Sequence, residues 1–163
     1  MSIASLEPFA FTIFCDDVRE ENGGKLSYMG VYRGDVILPV TVPINLAKFV
    51  LVVNFLEPHQ GEWLPTIIRI YLPGQTLDDA PAHEITVPVA EGAAVIREDI
   101  PVEDQMRHML VPITFAPFLI EQFGRMRVTV QRGDTVYRSG SVQITGPDAS
   151  SSATATESDA SAS

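Results

Sequence analysis

The sequence predicts an all-β domain, a two-layer antiparallel β-sandwich of the immunoglobulin-like kind. About eight short segments alternate apolar and polar residues with the period of two that is typical of strands. Glycine and proline turn signals separate these segments, and no long amphipathic helix interrupts them. A jelly roll or a small barrel is the alternative architecture. The 163-residue chain fits one domain, which we expect to span residues 1–146.

The stretch from Phe9 to Pro39 contains the first predicted strands. Phe9 to Cys15 alternates aromatic and β-branched residues, which favours a strand over a helix. Asp16 to Lys25 combines charges, Asn22 and two glycines, and this composition predicts a chain-reversing loop. A second strand is predicted from Leu26 to Tyr32, and an apolar run resumes before Pro39.

The middle of the chain is predicted to supply the central strand of the fold. Lys48 to Leu56 is apolar on both faces, so this strand belongs inside a packed structure. Further strands are predicted over Thr66–Leu72, Glu84–Val89 and His108–Phe115. Pro88 predicts an edge position for the second of these strands, and Pro112 predicts an edge position or a bulge for the third. Residues 90–107 are predicted to form an irregular crossing or a short helical turn near residues 102–106.

A regular hairpin closes the predicted domain. Its first strand points Met126, Val128 and Val130 inward and four polar residues to solvent, namely Arg125, Arg127, Thr129 and Gln131. Arg132-Gly133-Asp134-Thr135 forms the predicted turn. In the second strand, Val136, Val142 and Ile144 are expected to share one face. Residues 147–163 are Ser-, Ala- and Thr-rich and acidic, which predicts a disordered tail.

Two strings of the sequence resemble known families. Within the stretch from Phe11 to Pro39 lies the string FCDDVREENGGKLSYMGVYRGDVILP. It resembles the opening signature of a small bacterial family of uncharacterised proteins, a domain of unknown function. That family has no established activity, so the resemblance implies no catalytic residue. The string FGRMRVTVQRGDTVYRSGSVQI is similar to the closing hairpin of immunoglobulin-like domains.

Charge and cysteine content limit the classes of function. A net charge of −10 argues against general nucleic-acid binding and against docking on anionic membranes. Cys15 is the single cysteine and lies on an apolar strand face, which predicts a buried, inert thiol in a reducing compartment. The sequence shows no signal-peptide pattern and no apolar run long enough for a membrane span. We therefore expect a cytoplasmic protein.

The acidic run Asp16, Asp17, Glu20 and Glu21 is the candidate metal site. Ca²⁺ prefers several oxygen ligands, and Asp78 and Asp79 from another loop can complete such a set. The run lacks the spacing of an EF-hand, and the same segment contains Arg19 and Lys25 as ion-pair partners. The alternative is a solvated turn with local ion pairs, and this second interpretation is the one we adopt.

The sequence contains no recognised catalytic motif. The three histidines do not form a metal-binding pattern, and the common nucleophile, phosphate and redox signatures are missing. We therefore predict a protein that is not an enzyme and has no cofactor. The enzyme alternative is a hydrolase whose catalytic residues are distant in sequence and come together only in the folded protein.

Four arginines of the closing hairpin form the candidate interaction site: Arg125, Arg127, Arg132 and Arg138. On an acidic protein they predict a docking surface for an acidic partner or for a second copy of the chain. The alternative is cross-strand pairing, which contributes little stability when exposed. Our main hypothesis is a non-catalytic structural or protein-interaction module, and the second is a sandwich that binds Ca²⁺ or a small ligand at the acidic run.

Overall fold

The computed structural model describes residues 7–60, 62, 64–89 and 98–147. These residues form strands joined by turns, with one 3₁₀ helix at Val102–Asp104, so the predicted all-β class is confirmed. No helix in these ranges is long and apolar enough to span a membrane. The strands are β1 (Phe9–Cys15), β2 (Asp17–Glu21), β3 (Lys25–Met29), β4 (Asp35–Ile37), β5 (Ile44–Leu46), β6 (Phe49–Pro58), β7 (Thr66–Tyr71), β8 (His83–Val87), β9 (Met106–Phe115), β10 (Phe118–Ile120), β11 (Gly124–Arg132) and β12 (Thr135–Thr145).

Two sheets contain most of the strands. One has the order β1-β6-β9, and the other has the order β4-β12-β11-β7-β8. The pairs β2-β3 and β5-β10 form two further small sheets. Strands β8 and β9 lie at sheet edges, as Pro88 and Pro112 predict. The pairing is antiparallel except between β4 and β12, which run parallel. This pair corrects the expectation of a wholly antiparallel fold.

The two larger sheets share one hydrophobic core. Strand β6 contributes four buried side chains to it: Phe49, Leu51, Val53 and Phe55. The five-stranded sheet contributes Ile68 and Ile70 from β7, Met126, Val128 and Val130 from β11, and Val142 and Ile144 from β12. These residues alternate along their strands, so each sheet directs one apolar face toward the other. The predicted inward residues of β11 are therefore confirmed.

The opposite face of β6 is also buried. Val50 and Val52 form a second apolar cluster with Cys15, and Val18 and Tyr28 pack against it. Since the last two belong to β2 and β3, the β2-β3 hairpin covers part of the outer face of the three-stranded sheet. The central position predicted for this strand is correct, because β6 pairs with β1 on one side and β9 on the other.

The acidic run adopts a structure that differs from the predicted loop. Asp17 to Glu21 forms a strand that pairs with Lys25 to Met29, so only residues 22–24 make the turn. Gly23 and Gly24 have φ angles of +86° and +74°, which other residues adopt only at a cost. Because the two glycines let the chain reverse within three residues, the charged residues lie in the paired strands on either side of the turn.

A β-bulge changes the side-chain pattern of β12. Val128 pairs with Gly140, whereas Thr129 pairs with Arg138, so Ser139 is the extra residue. Val136 consequently lies on the outer face and is 55% exposed, while Val142 and Ile144 are buried. The expectation that these three valine and isoleucine side chains share a face is wrong for that reason.

Several other expectations concern the connections between strands. The helical turn predicted near residues 102–106 is the 3₁₀ helix, and residues 90–97 lie outside the described residues. The segment between Pro39 and β6 contains β5, which pairs with β10. The predicted disordered tail also lies outside the described residues, apart from Pro147.

Replacing Ile70 with Ala tests the shared core. Ile70, the next-to-last residue of β7, is 0% exposed, so the substitution leaves a cavity between the sheets. We expect a loss of about 2–5 kcal/mol in the free energy of unfolding, measured by urea titration. Val136→Ala is the control at an exposed position, with an expected change within about 0.5 kcal/mol. Equal losses for the two variants would contradict the packing described.

Candidate functional site

The four carboxylates of the acidic run do not converge on one point. Asp16 accepts a hydrogen bond from the Tyr32 hydroxyl, and Asp17 accepts one from the Lys48 ammonium group. Glu20 and Glu21 are exposed on β2. Within the described residues, no group of three or more His, Cys, Asp or Glu side chains is placed to hold a metal ion.

The contacts of Asp16 and Asp17 are structural. Gly30 has a φ of +64°, and a Cβ at this position would lie 1.9 Å from Asp16 Oδ2. Burial and then the neighbouring Asp16 raise the pKa of Tyr32, so its hydroxyl stays protonated as the donor. The hydrogen bond from Lys48 lowers the pKa of Asp17. These contacts tie the start of the β2-β3 hairpin to Tyr32, which follows β3, and to Lys48, which precedes β6.

Cys15 is a buried thiol. It is fully inaccessible, and its Sγ lies 3.8 Å from the carbonyl oxygen of Val50. Burial, followed by the charges of Asp16 and Asp17, raises the pKa of the thiol. Since the thiolate is the nucleophilic form, this environment suppresses reactivity.

Arg132 lies apart from the other three candidate arginines. Its guanidinium group makes a bidentate contact with Glu57 at the end of β6 and donates to Thr66 Oγ1 at 2.9 Å. The guanidinium carbon also lies 5.7 Å from the centre of the Phe55 ring. The side chain is only 14% exposed, so this arginine is not available to a partner.

Glu57 also binds a second arginine. Arg107 Nη2 on β9 lies 3.0 Å from Glu57 Oε1, and the two side chains are 10% and 12% exposed. The resulting Arg107–Glu57–Arg132 group links both large sheets near one end of the core. The sequence gives no signal for this group, because its members are distant along the chain and have no fixed spacing.

The remaining three arginines share the outer face of the five-stranded sheet. In one row across the strands, Arg127 lies between Tyr71 and Ser141. In the next row, Thr129 lies between Arg69 and Arg138. We call the four arginines on this side, Arg69, Arg125, Arg127 and Arg138, the arginine face. Sequence patterning missed Arg69, because only the pairing of β7 with β11 brings it here.

Two adjoining concavities lie on the arginine face. One has a volume of ≈ 390 Å³ and is lined by residues that include Arg125, Arg127 and Ser141. The other has a volume of ≈ 500 Å³ and includes Arg69 and Asp79. Leu77, Thr129 and Arg138 line both. Residues 72–82, the loop after β7, therefore form one wall, and the sheet forms the floor.

The four arginines differ in their contacts within the protein. Arg69 pairs with Glu84 at 2.7 Å and donates to Gln131 at 2.6 Å. Arg127 donates to the carbonyl oxygen of Gln75 at 2.9 Å. Arg138 is exposed and makes no hydrogen bond or ion pair with any described residue. Its five N–H donors are therefore available to a ligand or partner.

Comparison of the chain with protein-family models, with curated proteins and with solved structures gives no match. The functional assignment is therefore based on the chemistry of the residues described above. The arginine face combines concave shape, positive charge and an available guanidinium group. The acidic run and Cys15 offer none of these features.

Replacing Glu57 with Gln tests the role assigned to Arg132. The substitution leaves two mostly buried guanidinium groups without their shared carboxylate. We expect a loss of about 2–4 kcal/mol in the free energy of unfolding. Glu84→Gln, which removes the half-exposed partner of Arg69, is the matched control and should cost less than about 1 kcal/mol. An unchanged free energy of unfolding in Glu57→Gln would mean that Glu57 does not hold Arg132, which would then be available to a partner.

Thiol titration tests the environment of Cys15. Because the thiol is buried and its pKa is raised, a disulfide reagent at mildly alkaline pH should not react with the folded protein. The same reagent should label the thiol fully in denaturant. Fast labelling under native conditions, at the rate of a free cysteine, would show that the cluster around Cys15 opens.

Proposed function

We propose that the protein is a non-catalytic interaction module that binds an acidic segment of a partner protein on the arginine face. The observation that carries this proposal is Arg138, which is exposed beside Arg127 in a concave site and has no partner within the described residues. A guanidinium group binds carboxylates through a fork of N–H donors, and Arg is favoured at such interfaces. An acidic segment is therefore the complementary partner.

The charge of the rest of the protein supports a single docking position. The chain has a net charge of −10, and that excess of carboxylates repels an acidic segment everywhere else. At physiological salt the Debye length is about 8 Å, so the local arginines outweigh distant carboxylates once the segment is close. This balance of charges predicts slow association with the acidic segment and specific binding at the arginine face.

We also propose that the domain is an immunoglobulin-like sandwich. The order β1-β6-β9 matches the strands A-B-E of that fold, and β12-β11-β7-β8 matches G-F-C-C′. The shared core of the two sheets supports this assignment. Membership in the bacterial family of uncharacterised proteins is likewise a proposal. Its signature string forms the β2-β3 hairpin and the contacts of Asp16 and Gly30.

The absence of catalysis is part of the proposal. It is supported by the burial of Cys15 and by the pairing of Asp16 and Asp17 with Tyr32 and Lys48. The protein is further proposed to work in the cytoplasm, where a single buried thiol stays reduced.

A second copy of the chain is the other possible occupant of the arginine face. Light scattering under the binding conditions distinguishes this self-association from binding of a different protein.

Binding of an acidic peptide tests the proposal. The probe is a short fluorescent peptide that alternates Glu and Gly, and a Gln-Gly peptide is its uncharged match. We expect the Glu peptide alone to bind the wild type, with an affinity that falls as salt rises. The double substitution Arg127→Gln and Arg138→Gln should weaken binding at least about tenfold, measured by fluorescence anisotropy.

The control variant carries Arg19→Gln and Lys25→Gln. It loses two positive charges as well, but from the β2-β3 hairpin, and it should bind within about twofold of the wild type. Equal weakening in both double variants would mean that net charge alone governs binding. That result, or equal binding of the Gln peptide, would overturn the proposed docking face.

A further inference from the structure

Thr129 occupies the centre of the arginine face. Its side chain is only 3% exposed, and its hydroxyl oxygen Oγ1 has no hydrogen-bond partner among the described residues. Thr129 lines both concavities. Arg69 and Arg138 are its neighbours across the strands, and the bulge in β12 lies directly opposite it. A buried, unpartnered hydroxyl thus lies just beneath the surface of a positively charged hollow, where a ligand can reach it once a side chain above it moves aside.

A hydroxyl in this position is unfavourable for the folded protein alone. Buried polar groups are normally hydrogen-bonded, because burial removes their contacts with water. Valine has nearly the same shape as threonine and would avoid this cost on a strand. The hydroxyl is accounted for if a ligand supplies the missing acceptor.

We propose that the Thr129 hydroxyl and the guanidinium groups of Arg127 and Arg138 form a subsite for one carboxylate of the acidic segment. Arg69 contributes positive charge from the neighbouring strand. This inference depends on the proposed docking of an acidic segment and adds the residue that receives one of its Asp or Glu side chains. Leu77, which lines both concavities, offers an apolar contact to the methylene groups of that side chain.

The chemistry of the lining residues selects an acceptor. Arg138 has donors only, and Arg127 uses one nitrogen for the carbonyl oxygens of Gln75 and Arg125. The Thr129 hydroxyl is free to donate its proton. A carboxylate accepts several hydrogen bonds and donates none, so it matches this set.

Asp79 favours a carboxylate over a phosphate group. It lines one of the concavities, where its Oδ2 accepts hydrogen bonds from the Thr76 amide at 2.6 Å and from Thr76 Oγ1 at 2.9 Å. The backbone bond is the main reason that the pKa of Asp79 is lowered, so its negative charge persists at neutral pH. A phosphate dianion is repelled more strongly by that charge than a carboxylate with one charge.

The substitution Thr129→Val tests the subsite. It should weaken binding of the Glu-Gly peptide about tenfold, because the carboxylate loses a hydrogen bond. It should also raise the melting temperature by roughly 2–6 °C, because the unpartnered hydroxyl is removed. Thr86→Val, at an exposed position of β8 opposite Ile67, is the matched control and should leave both quantities unchanged.

Three outcomes would overturn the subsite. A lower melting temperature in Thr129→Val would show that the hydroxyl is structural. Wild-type affinity in this variant would show that the carboxylate binds elsewhere, and the arginine double variant would then still test the docking face. Displacement of the peptide by inorganic phosphate at lower concentration than by acetate would exclude the preference for a carboxylate.

A titration with sodium acetate separates this inference from the proposed function. Acetate should shift the amide NMR signals of Thr129 and Arg138 in the wild type at roughly 100 mM, and not in Thr129→Val. This result together with no peptide binding would refute the docking of an acidic segment and leave the subsite supported. Absence of the shift in the wild type would refute the subsite itself.

Discussion

Burial of β6 on both of its faces is the constraint on which the rest of the fold depends. Its side chains from Phe49 to Phe55 are all buried, so each face needs a cover. The five-stranded sheet covers one face and forms the shared core. The β2-β3 hairpin covers part of the other face, where Ile13 of β1 and Leu110 of β9 flank the cluster. The hairpin is therefore a third layer over the central strand, and its position follows from the apolar sequence of β6.

This arrangement determines which surface is free for function. The outer face of the three-stranded sheet is partly occupied by the hairpin, and the acidic residues at its start, Asp16 and Asp17, are engaged by Tyr32 and Lys48. Among the described residues, the loop of residues 72–82 borders the concavities on the outer face of the five-stranded sheet. That loop encloses the arginine face without filling it. The chain thus combines a covered apolar side with a polar side that retains open concavities.

Features with a local pattern were predictable from the sequence. The ends of β1 and the inward residues of β11 follow from alternation along a single strand, and the edge positions of β8 and β9 follow from proline. Pairing between distant strands was not predictable in this way. Three features depend on strands from separate parts of the chain: the contact of Arg132 with Glu57, the position of Arg69 beside Thr129, and the burial of Thr129. Three of the four predicted arginines, Arg125, Arg127 and Arg138, therefore belong to the arginine face, and Arg132 does not.

The bulge at Ser139 determines which residues of β12 face the core and which face outward. From Gly140 to Ile144 the even-numbered residues face the core, whereas Val136 and Arg138 are even-numbered and face outward. If β12 kept strict alternation from Gly140 with no bulge, Arg138 would lie opposite Val130 and its guanidinium group would point into the apolar interior. The bulge thus converts what would be a charge conflict in the core into an external cation. Sequence changes that abolish the bulge but keep the length of β12 would bury that cation, whereas loss of Ser139 would leave Arg138 opposite Thr129 on the sheet surface.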